Sequence, residues 1–183
     1  MLIGARRARE VLVRDGVSSW SAQRVLSAGL AGEPIRSGSA VLYEAARVME
    51  LAERPSARWP DIAGRCPAGL FVSRRDFPAT APLADQLKAL SVGWSAVNPW
   101  AWVGMALRIP HLGPAGFVAT IGGLVVLGAD IVEARGFSEL VLAPPGPWYD
   151  DAAGHWLPTG PGRPWLLTLG APMTAAELSP CGA

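Results

Sequence analysis

Between Ala5 and Val13 the apolar positions Ala8, Val11 and Leu12 fall at helical spacing, and Asp15-Gly16 stops the run. Ser18 then stands where an N-cap belongs, ahead of a second helix whose inner face is Ala22, Val25 and Leu26 and whose end is Gly29. Two short helices joined by Asp15-Gly16-Val17 have the size and turn of a helix-turn-helix. Ile35-Arg36 and Val41-Leu42-Tyr43 flank Gly38 as a small hairpin or wing. A third helix is expected from about Glu44 to Glu53, with Val48 and Leu51 inward and Pro55 beyond its end.

Residues 55–65, with Pro55, Pro60 and Gly64 around Trp59, read as a linker between an N-terminal unit (1–54) and a second unit (66–183). In the second unit Leu70-Phe71-Val72 is an expected strand and Pro82 to Leu90 a helix. Asn98-Pro99 supplies an N-cap and N1 proline to a helix reaching about Arg108. Phe117 to Ile121 and Leu124 to Leu127 are β-favouring runs joined by Gly122-Gly123, a dipeptide suited to positive φ at both turn positions, so a buried hairpin is expected over 114–130. Ile131-Val132, Leu140 to Leu142 and Trp165 to Leu169 add further strands. The fold class is α+β: a small winged helix-turn-helix unit, then a compact mixed domain ending in antiparallel strands, as a sheet or barrel.

The stretch Ile109 to Ala129 is uncharged and long enough for a membrane span, but it holds Pro110, Pro114 and five glycines and has no flanking Lys/Arg cluster. The hairpin is therefore preferred over a single membrane helix, and no membrane partner is expected. Among 183 residues half are apolar and 17% charged, which excludes a disordered chain. Charge is uneven: residues 1–58 carry net +3 and the remainder net −2. A basic first segment suits phosphate contacts; the acidic remainder argues against a second extended nucleic-acid surface. Cys66 and Cys181 form no metal-type pair and follow no signal peptide, so they read as free thiols in a reducing cytoplasm.

Val17, Ser18, Ser21, Ala22, Arg24, Val25 and Gly29 stand in the order of a Val-Ser-x-x-Thr-Val-x-Arg-Leu recognition helix, with Arg36 and Gly38 at the wing and Tyr43, Val48 and Leu51 on the closing pattern. Over about residues 3–54 the chain thus resembles the winged helix-turn-helix of the MerR and phage-excisionase type. It departs from that pattern at Val41-Leu42, where the wing arginine usually precedes the aromatic, and at Arg47, where an acid is usual. The resemblance implies a transcriptional regulator or excisionase-like factor that binds double-stranded DNA, with a C-terminal assembly or sensing domain. Candidate contacts are Ser18, Ser19, Trp20, Ser21, Gln23, Arg24 and Arg36, with Arg24, Gln23, Trp20 and Ser27 on the outer face of the second helix. Arg6, Arg7 and Arg9 are either phosphate contacts or a solvated run. One such helix reads few base pairs, so a homodimer or cooperative assembly is expected. The altered wing also permits a protein-interaction module instead.

Asp150, Asp151 and His155 are the only compact acid-histidine cluster, but Pro144 to Pro147 and Gly154 mark a turn in which aspartates bond their own backbone. A small metal-dependent enzyme is the weakest reading. No cofactor is implied, no metal or catalytic residue is assigned, and the chain is not read as an enzyme. Seven of the eight tryptophans lie beyond residue 58, where they serve as core; if any are exposed, the i, i+2 pair Trp100 and Trp102 is favoured, since both cannot face inward.

Overall fold

The computed structural model describes residues 1–160 and 162–170. The chain is α+β, with six α-helices and two sheets among the described residues. Its N-terminal lobe contains α1 (Ala5–Leu12), α2 (Ser19–Ser27) and α3 (Ala45–Glu53), with a three-stranded sheet in the order β1 (Leu2–Gly4), β3 (Ala40–Glu44), β2 (Ile35–Ser37). The inner residues Ala8, Leu12, Ala22, Val25, Leu26, Val48 and Leu51 are buried together, as the helical spacing requires. Strands β2 (Ile35–Ser37) and β3 (Ala40–Glu44) form the expected hairpin, with Gly38 at positive φ in its turn. Strand β1 (Leu2–Gly4) pairs with β3 and was not foreseen; three residues are too few to show alternation.

The segment expected to be a linker contains α4 (Trp59–Ala63), whose Ile62 is buried under the large sheet. Its Pro60 and Gly64 are a helix start and stop rather than spacer residues: proline is compatible with the first turn, and Gly64 is the C-cap.

The second lobe is a five-stranded sheet in the order β7 (Glu139–Ala143), β6 (Leu124–Arg135), β5 (Ala115–Ile121), β4 (Leu70–Ser73), β8 (Trp165–Thr168). The central strands β4 (Leu70–Ser73) and β5 (Ala115–Ile121) are parallel, joined by a crossover through α5 (Leu83–Ser91) and α6 (Pro99–Leu112). The domain ends in antiparallel strands as expected, and the parallel central pair is the feature that the sequence reading did not contain. Every residue of β4 and β5 is buried, because helices and loops cover both faces; such strands read as continuous apolar runs whose pairing direction is not encoded locally. Phe71, Phe117, Leu127 and Ile131 face Leu90, Trp94, Trp102 and Met105 of the crossover. Leu70, Val72, Val118 and Val125 face Ile62, Cys66 and Leu157.

Strand β6 (Leu124–Arg135) follows β5 through the Gly122-Gly123 turn, both glycines at positive φ, which establishes the hairpin. The register shifts where Ala119 pairs with Leu127 and Thr120 with Val125, so Val126 is the extra residue of a bulge. Val125 and Leu127 thereby reach opposite faces of the sheet, and Val126, inside the hairpin expected to be buried, is only half-buried. Strands β7 (Glu139–Ala143) and β8 (Trp165–Thr168) complete the sheet antiparallel to β6 and β4. Helix α6 runs past Arg108 to Leu112 with Pro110 inside it; its Trp102 is buried and Trp100 is 83% exposed, as the i, i+2 argument requires. Among the described residues no helix is long and apolar enough to cross a membrane.

The lobes share a core. Leu124 and Trp156 of the second lobe are buried among the helices of the first. The Trp156 indole N–H donates to the Leu51 carbonyl at 2.8 Å, and its backbone exchanges hydrogen bonds with Pro55 and Ala57.

Candidate functional site

Helix α2 is capped as the sequence predicts: the Ser18 hydroxyl accepts from the Ser21 amide at 3.1 Å. With Ala22, Val25 and Leu26 inward, a 100° step per residue gives the helix two remaining flanks. Ser19, Trp20, Gln23 and Ser27 lie on one flank. Ser19 and Ser27 are exposed, Trp20 is 68% exposed, and the half-buried Gln23 donates to the Ser27 hydroxyl at 3.1 Å.

The other flank meets the second lobe. Gly122 lies so close to the Ser21 carbonyl that a side chain there would collide with it, and Gly16 packs against Pro158. Arg24, expected on the open face, is turned into this junction. Its Nε and Nη2 donate to Asp76 at 3.2 and 2.5 Å, and Nη2 also to the Arg74 carbonyl at 3.0 Å. Its side chain is only 17% exposed. The reason is long-range: a carboxylate 52 residues away in the chain is brought to α2 by the β4–α5 loop. The Arg24 guanidinium also sits 4.8 Å from the Trp20 ring centroid, a cation–π contact that orders both side chains.

Arg36 is exposed on β2, opposite Val41, and the hairpin around it is solvated. Arg6 and Arg7 both pair with Glu10 on the surface of α1; the hydrogen bond from Arg6, foremost, holds the Glu10 carboxyl below its ordinary range. Thus the structure brings Ser18, Ser19, Trp20, Ser21, Gln23 and Arg24 onto one helix, with Arg36 on a separate hairpin.

Between α2 and the second lobe is a cleft of about 720 Å³. It lies beyond the carboxyl ends of the parallel strands β4 and β5, and among the described residues its walls include Arg24, Arg74, Arg75 and Arg163 with one carboxylate, Asp76. Arg74 donates to the Gly160 carbonyl at 2.5 Å and to the Arg163 carbonyl, tying down the wall opposite α2. Burial, and then the charge of Arg24, lowers the Arg74 pKa. Arg75 donates to Val92 and stacks on Trp94. Sequence reasoning missed this cleft, since its arginines come from loops with no shared motif.

Asp151 of the acid-histidine cluster pairs with Arg65, and His155 is engaged at Nδ1 with the Ala153 carbonyl. Among the described residues no three His, Cys, Asp or Glu side chains converge as a metal site. His111 is exposed in the last turn of α6. Cys66 is a buried free thiol whose pKa burial pushes up to about 11, and Cys181 lies outside the described residues. No family model, curated protein or solved structure matches this chain.

Proposed function

We propose that this chain is a sequence-specific DNA-binding protein of the cytoplasm, a transcriptional regulator or excisionase-like factor. The observation that carries this reading is the free flank of α2, where Ser19, Trp20, Gln23 and Ser27 stand beyond a Ser18 cap in a lobe whose hairpin exposes Arg36. A helix whose N-terminal residues are solvated after a tight turn is the element that enters a major groove, and Gln is suited to adenine N6/N7 there. Arg36 meets phosphate and fixes orientation without reading sequence. The second lobe holds one side of the reading helix and serves assembly or sensing, and a homodimer or cooperative array supplies the specificity that one helix lacks.

A protein-interaction module is the second reading, favoured by the Arg24–Asp76 contact: one flank of α2 already serves as a protein-docking surface within the chain. Selection of duplexes from a random pool, followed by gel shifts at two salt concentrations, separates the two. Enrichment of a shared sequence with salt-sensitive affinity supports DNA recognition, and failure to retain any duplex supports the interaction module.

A further inference from the structure

The cleft beside α2 has features that the DNA reading does not use. Among the described residues four arginines and one carboxylate border a concavity large enough for a small molecule, and burial, then the charge of Arg24, lowers the Arg74 pKa there. The Arg74 Nε is buried and has no hydrogen-bond partner among the described residues. An unpaired buried donor beside clustered cations is expensive unless an acceptor arrives. The position is also where ligands collect in sheets with parallel strands, in the crevice beyond their carboxyl ends. Asp76 neutralises only one of the four cations, and its side chain is 82% exposed, turned to water at the rim.

We propose that this cleft binds a small ligand bearing a diphosphate or an equivalent polyanionic group. The walls supply charge-assisted donors from two lobes, so the anion bridges Arg24 of α2 to Arg163. Arg24 turns from Asp76 toward the ligand, and the Asp76 carboxylate opposes binding.

Inorganic pyrophosphate is the probe, titrated calorimetrically into the full chain at constant ionic strength. Saturable 1:1 binding is expected. Arg163→Gln and Arg24→Gln each weaken it about tenfold, the scale of one charge-assisted contact. Asp76→Asn tightens it severalfold, and Arg135→Gln, at the far end of β6, leaves it unchanged. Thermal melting checks that each variant is folded, and Arg163→Gln serves if Arg24→Gln is not. Absence of saturable binding overturns the proposal. So does equal weakening by Arg135→Gln, or an Asp76→Asn variant that binds no tighter. The titration contains no nucleic acid, so this inference and the DNA reading can each fail alone.

Discussion

Arg24 and Cys66 show how a fold reassigns single side chains. By helical position Arg24 belongs to an outer face, yet Asp76 and the Arg74 carbonyl draw it against the second lobe. The pair is half solvated, because Asp76 is 82% exposed; removing it should change stability by no more than about 1 kcal/mol. Its importance is to where Arg24 points. Cys66 is the opposite case, a thiol sealed between Ile62, Leu70 and Val118. Its pKa rises from 9.0 to about 11 because burial disfavours the thiolate. In the unfolded chain the thiol ionises at lower pH than in the native state, so the fold keeps its full advantage below pH 9 and loses it as pH rises toward 11. Burial raises the pKa of Tyr149 as well, and that acts in the same direction. Urea melts across this range should show falling stability, with a shallower fall in Cys66→Ala than in the parent. An identical slope in the two proteins would refute the assignment to Cys66.

At the scale of elements, the contact between the β5–β6 turn and α2 sets how much of the helix is open. Gly122 has φ +59 and sits against the Ser21 carbonyl, whereas Gly38 has φ +60 and open space around it. Gly38→Ala should therefore cost only the left-handed backbone penalty, about 1 kcal/mol. Gly122→Ala adds a backbone collision that nothing nearby can relieve, so the loss should exceed that of Gly38→Ala by a further ~1–3 kcal/mol in the same urea melts. Equal losses would mean that the hairpin turn does not press on α2. Local signals were enough for most elements: the Ser18 cap, the inner triad of α2, the Gly122-Gly123 turn and the Asn98-Pro99 helix start are all written within a few residues. The parallel pairing of β4 with β5, the bulge at Val126 and the cleft depend on partners far away in sequence, and no short-range pattern carries them. The linker reading failed for a related reason, since Pro60 and Gly64 have the same composition in a spacer as at the two ends of α4.

For the whole molecule, the consequence of the shared core is cooperativity. Trp156 is fully buried among the N-terminal helices, while its chain neighbours are tied to the β5–β6 hairpin: the His155 carbonyl accepts from the Val125 amide and the Leu157 amide donates to the Gly123 carbonyl. Trp156→Ala should destabilise the protein by roughly 3–5 kcal/mol, from lost burial, a cavity and the lost indole hydrogen bond to the Leu51 carbonyl, which keeps only the Arg54 amide. Hydrogen exchange should then rise together in α1–α3 and in the strands β4–β6, as expected of one cooperative unit. Faster exchange confined to one lobe would show two independent units joined only by sequence.

The most direct test of DNA recognition is a fluorescence-polarisation titration of a selected duplex at two salt concentrations, comparing the parent with Arg36→Ala, Trp20→Ala and Asp76→Asn. The account predicts binding that weakens with salt, and a salt slope reduced by about one in Arg36→Ala, with affinity lowered evenly across sequences. Trp20→Ala should lower affinity for the selected site more than for random duplex, because Trp20 stands on the reading flank of α2. Asp76→Asn should leave the preference for the selected site unchanged, because Asp76 and Arg24 meet in the cleft and not on the reading flank. Duplex binding that none of these variants alters, or no binding at either salt, would contradict it.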